Sequence, residues 1–119
     1  MLSSALLFVG IGGTIGSILR YLVSGAVPRS SLIPTGTLTV NFIGSLILSY
    51  LTFSGAHGGI VYFVNVGILG AFTTFSTFSY ESFRLLEENE SLYFILNITF
   101  NLFLCLAAVK AGQLLVNLI

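Results

Sequence analysis

Four long apolar stretches, separated by three short punctuated zones, take up nearly all of this 119-residue chain, and that pattern leaves it little choice of fold. The stretches run over residues 2–23, 38–53, 60–83 and 92–118. A helix needs about 20 mostly apolar residues to cross a bilayer, so each stretch approaches one span. With only 7% charged residues against roughly 25% in soluble domains, the chain has too few charges to wet its own surface, and its mean hydropathy is +1.04. The composition excludes a soluble catalytic domain. It predicts one all-α membrane domain over residues 1–119, embedded in the lipid bilayer as a multi-pass protein. The short chain suits a prokaryotic plasma (inner) membrane.

Four Lys and Arg balance four Asp and Glu, so there is no basic surface for nucleic acid. The N-terminus carries no Lys or Arg before its apolar run, unlike a cleavable leader, and the first stretch is expected to stay as a span. Cys105 sits in an apolar run without a disulfide partner or a metal-ligand cluster, and reads as a small packing residue. His57 lies in a glycine-rich turn with neither a second histidine nor a nearby acid, which points to neither metal binding nor catalysis. No nucleophile and base pair up.

The zone over residues 25–36 holds Pro28, Arg29, Ser30, Ser31 and Pro34 and reads as a loop; residues 55–59 and 87–91 read as turns. Tyr21, Tyr50, Tyr62 and Tyr93 each fall near a span end, where an amphipathic ring prefers the headgroup layer. Arg20, Arg29 and Arg84 fall toward one face and Lys110 toward the other. So weak a bias permits insertion in both orientations.

The third stretch is the most informative. Gly67 and Gly70 are followed by Thr73, Thr74, Ser76, Thr77 and Ser79, starting near the bilayer midplane. A simple span has no need of this, whereas a broken helix does, because freed carbonyls and N–H groups need local partners. A break also sets fixed partial charges at midplane: carbonyls that can hold a cation and helix N-termini that favour an anion. Phe75 and Phe78, three apart, share a face; they either pack in the core or turn their positive ring edges to an anion.

Other polar residues lie inside the spans. Asn41 must find partners in hydrocarbon, with Thr37 one turn before it. Tyr93, Asn97 and Asn101 recur every fourth residue and form one polar stripe on the last span. Both sets either glue helices together or line a wet pathway. In the first span, Gly12 and Gly16 have the spacing of close helix packing. The chain has no Asp, and Glu81, Glu87, Glu88 and Glu90 all sit at or beyond the end of the third stretch, so no acidic ring or proton relay is available for cations. Glu81 and Arg84 are expected to pair at the interface.

Three blocks, residues 12–21 (GGTIGSILRY), 36–44 (GTLTVNFIG) and 67–81 (GILGAFTTFSTFSYE), resemble the Fluc (CrcB) family of fluoride channels, and the likeness covers essentially the whole chain. It implies a four-helix subunit with a broken third helix, paired antiparallel with a second copy, or with a paralogue, in a dual-topology dimer. Two fluoride pores would flank a structural sodium ion held by the carbonyls of Gly70 and Thr73. The resemblance also implies a phenylalanine pair at Phe75 and Phe78, a pore amide at Asn41, a hydroxyl track at Ser76 and Thr77, and Thr37 nearer a vestibule. Its fourth-helix track matches Tyr93, Asn97 and Asn101, although the family more often has serines at the latter two. The expected function is passive fluoride export that lowers its toxicity, with no enzymatic step. A proton-coupled drug antiporter of similar size needs a buried carboxylate in its first span, and none is present. A noncatalytic scaffold would assemble without flux.

Overall fold

A computed structural model describes residues 2–28 and 32–119, so Arg29, Ser30 and Ser31 of the first loop lie outside the described residues. The chain forms α1 (Leu2–Ala26), α2 (Thr35–Phe53), a π-helix (Val61–Leu69), a single turn α3 (Gly70–Phe72), α4 (Phe75–Glu87) and α5 (Ser91–Leu118). The π-helix, α3 and α4 together make the third span. Among the described residues, four helical runs are thus long and apolar enough to cross a membrane. The long axis of 50 Å exceeds the roughly 30 Å of a hydrocarbon core.

The first loop is shorter than its composition predicts. The α1 helix runs on through Gly25 and Ala26, and Ser24 Oγ folds back onto the Arg20 carbonyl at 2.6 Å. The α2 helix begins directly after Pro34, whose missing N–H is no loss where the first N–H groups lack helical partners anyway. Gly55 and Gly58 adopt φ of 78° and 69° in the next turn, a region closed to most side chains. Asn89, at φ 61°, turns the chain between α4 and α5.

Two helix pairs build the subunit. The α1 helix packs on the π-helix, and α2 on α5. Both contacts are backbone-close because glycines lie in them. A Cβ on Gly12 would strike the Phe63 carbonyl, and one on Gly16 the Ile68 carbonyl. A Cβ on Gly112 of α5 would sit 2.6 Å from the Leu46 carbonyl of α2. Small residues of this kind bring membrane helices together where the hydrophobic effect no longer drives association. The buried apolar core is correspondingly thin: Val40, Leu69, Phe72, Leu85 and Ala108. Most of the large apolar side chains face outward, as a chain solvated by lipid requires.

Candidate functional site

The third span breaks where the glycine and hydroxyl pattern places the break. Thr73 (ψ 158°) and Thr74 (φ −152°, ψ 123°) are extended between α3 and α4. Gly44 of α2 makes room for this, since a Cβ there would collide with the Thr73 methyl. Two side chains then take up the freed N–H groups. Thr74 N–H donates to Asn41 Oδ1 at 2.8 Å, and Thr77 N–H donates to Thr74 Oγ1 at 3.2 Å. In an unbroken helix those two N–H groups would bond the carbonyls of Gly70 and Thr73. Both carbonyls are thereby released. They are the pair implied as sodium ligands, and neutral oxygens without a carboxylate suit a hard cation of low charge. Among the described residues, no group of three or more His, Cys, Asp or Glu could hold a metal.

Asn41 also donates Nδ2 to the Thr74 carbonyl and to Asn101 Oδ1, both at 3.1 Å. From there the stripe on α5 continues. Asn101 Nδ2 donates to the Asn97 carbonyl and Oδ1 at 3.0 and 3.1 Å, and Asn97 Nδ2 donates to Ser82 Oγ at 2.9 Å. Ser82 Oγ in turn donates to the Phe78 carbonyl at 2.7 Å.

Two concavities flank the break. A cleft of about 440 Å³ is lined by Asn41, Thr73, Thr74, Phe75, Phe78 and Asn101, with Ser45 and Cys105 among its remaining walls. The Phe75 and Phe78 rings stand 5.7 Å apart at an interplanar angle of 49°, and Phe75 is 79% exposed. On the other side of α4, a second cleft of about 540 Å³ takes in Thr37, Thr77, Glu81, Arg84 and Glu88. The Thr74 hydroxyl joins the two, lying 3.2 Å from Ser76 Oγ and donating to Thr77 Oγ1 at 3.1 Å. At the start of α4 the N–H groups of Phe75 and Ser76 have no helical carbonyl one turn back, because the chain before them is extended.

The structure therefore gathers Asn41, Asn101, Phe75 and Phe78 around one cleft and puts Thr37 and Thr77 in the other. Ser76 reaches this line only through Thr74. Asn97 is fully buried, and neither it nor Tyr93 lines either cleft. Arg84 pairs with Glu88, one turn after it, at 2.7 Å, and the charge of the expected partner Glu81, one turn before it, also acts on the guanidinium.

Several contributors escaped the sequence reading. Ser82 stands at the end of the third stretch, outside the hydroxyl run that marks the break. Ser45 and Cys105 carry no motif. Asn65, in the π-helix, has a buried Oδ1 without a hydrogen-bond partner among the described residues. A lone asparagine in an apolar stretch was the signal that could have found it.

A model of the family described as CrcB-like protein, camphor resistance (CrcB), matches residues 7–113. The chain belongs to that family. It is 54% identical to "Fluoride-specific ion channel FluC 1" of Methanosarcina barkeri over 113 residues, covering 95% of this chain and 97% of the relative. Against "Fluoride-specific ion channel FluC 3" of Methanosarcina acetivorans the identity is also 54%, over 89% of this chain and 96% of the relative. A third relative, "Fluoride-specific ion channel FluC" of Methanococcus maripaludis, is 50% identical over 92% of this chain and 93% of its own length. These CrcB relatives match nearly end to end, so the broken span and both clefts lie inside the shared region.

Proposed function

We propose that this chain is a fluoride-specific channel of the multi-pass membrane type, which lets the anion leave the cell passively. The observation that carries this is the break in the third span, which sets neutral donors and ring edges between two clefts at mid-membrane with no carboxylate in the inner one. Fluoride holds its water tightly. It sheds that shell only where fixed neutral donors replace it along a narrow path. The path proposed runs from the Thr37 and Thr77 vestibule, past Ser76 and the N–H groups that open α4, to Asn41, Asn101 and the edges of Phe75 and Phe78. Tyr93 and Asn97 support that path on α5. Helix N-terminal N–H groups favour an anion, and ring edges carry partial positive charge. Hydrogen fluoride enters a cell as a neutral weak acid and ionises inside. The membrane potential then drives the trapped anion outward through such a channel, with no chemical step and no enzyme activity.

A single copy leaves the cleft beside Phe75 open, so we propose that a second copy, antiparallel to the first, closes it; a paralogue could take the same place. In that pair the released carbonyls of Gly70 and Thr73 would hold a structural sodium ion. When bound, the ion would supply a fixed positive charge between the copies. A proton-coupled exporter is disfavoured, because the first carboxylate along the chain is Glu81, at the vestibule. The test is fluoride release from liposomes loaded with fluoride, read by electrode after a potassium ionophore relieves the charge block, with chloride in parallel. Rapid fluoride release without chloride release is expected. No release from folded, assembled protein would leave only a scaffold or a missing partner subunit.

A further inference from the structure

Asn97 and Ser82 are buried, with relative exposures of 0% and 5%, and neither lines a cleft, yet they end a chain of hydrogen bonds that begins at the pore amide. The direction of that chain is fixed from both ends. Thr74 N–H can only donate and the Thr74 carbonyl can only accept, which decides how the Asn41 amide is turned. Asn41 Nδ2 then requires an oxygen opposite it, so Asn101 presents Oδ1 to Asn41. At the far end the Phe78 carbonyl takes the Ser82 hydroxyl proton, which leaves Ser82 Oγ as acceptor for Asn97 Nδ2. Asn97 Oδ1 is thereby turned toward Asn101 Nδ2. Reversing any one amide would set donor against donor at one contact and acceptor against acceptor at another, an expensive arrangement out of water.

We infer that Asn97 and Ser82 are positioning residues for anion passage: with the Asn97 carbonyl they hold the Asn101 amide from behind, and its oxygen keeps one N–H of Asn41 aimed into the cleft. That oxygen occupies the acceptor's place until an anion takes it over. The second N–H of Asn41 stays on the Thr74 carbonyl throughout. The inference rests on the fluoride reading, and its test separates the two. It also gives Asn97 a different role from an ion-lining one.

The test compares wild type with Ser82→Ala, Ser82→Thr and Ser82→Cys in the fluoride efflux assay, with oligomer size checked by chromatography for each. Wild-type release has to be seen first; its absence would fail the reading of this chain as a fluoride channel by itself, and this inference with it. Given wild-type release, Ser82→Ala is expected to slow fluoride flux per assembled channel by about threefold or more, the factor matching one interhelical hydrogen bond in a membrane. Ser82→Thr, which keeps the hydroxyl, should restore it. Ser82→Cys preserves volume with a weak donor and should be slowed like Ser82→Ala; if the alanine variant does not assemble, the cysteine variant decides alone. Unchanged flux in the assembled variant that decides, or equal loss in Ser82→Thr, would overturn the positioning role, because a purely packing role follows volume and not the hydroxyl.

Discussion

The side-chain amide of Asn41 holds the backbone of Thr74 on both sides, accepting from its N–H at 2.8 Å and donating to its carbonyl at 3.1 Å. One polar side chain on α2 thus substitutes for the helical bonds that the third span gives up 33 residues later. It also releases the Gly70 carbonyl, whose helical partner it has taken. A single amide therefore connects the proposed anion path to the oxygens proposed for a cation.

Replacing Asn41 by Leu keeps volume but strands both Thr74 groups. Each stranded buried group costs about 1–3 kcal/mol, so the thermal midpoint in detergent should fall clearly and fluoride flux should vanish. A variant as stable as wild type would show that the clasp does not hold the break.

Phe75 separates function from stability. It is 79% exposed in the single chain and touches Phe78 with its ring. In Phe75→Ile the stability of the isolated subunit should change by no more than about 0.5 kcal/mol, as for exposed sites generally, while fluoride flux should drop sharply. Equal flux would remove the ring edges from the path.

Sodium makes a third case. If the released carbonyls of Gly70 and Thr73 hold the ion between two copies, the midpoint of the assembled protein should rise with sodium and not with equal potassium, since a ligand that binds only the folded state stabilises it by mass action. A midpoint indifferent to sodium would contradict that site.

Gly16 tests the packing. A Cβ there meets the Ile68 carbonyl, which is backbone and cannot swing aside. Gly16→Ala should therefore destabilise the subunit by about 1–3 kcal/mol, the usual range for overpacking, as read by thermal unfolding. Wild-type stability would mean α1 and the π-helix can separate freely.

Much of this was legible in the sequence because lipid makes polarity conspicuous. Glycines followed by hydroxyls at midplane announce a break, and the break lies at Thr73 and Thr74. Asn41, Asn97 and Asn101 announce hydrogen-bonded partners, and all three have them. Periodicity could not say which partners. It put Asn97 on one face with Asn101 and left gluing and lining both open; Asn97 bonds Ser82 on α4 as well as Asn101. The π-helix was also invisible, because an apolar run such as residues 61–69 has the same hydropathy whichever carbonyl each N–H selects. The ends of α1 and α2 moved into the first loop since Ser24 and Pro34 act through backbone geometry and not through polarity.

The most direct measurement is electrical: the reversal potential of the purified channel in a planar bilayer, with a fluoride gradient opposed by a chloride gradient. The expected reversal potential follows the fluoride gradient alone. A potential that follows chloride, or that is shared between the two anions, would contradict selection of fluoride by the neutral donors at the break.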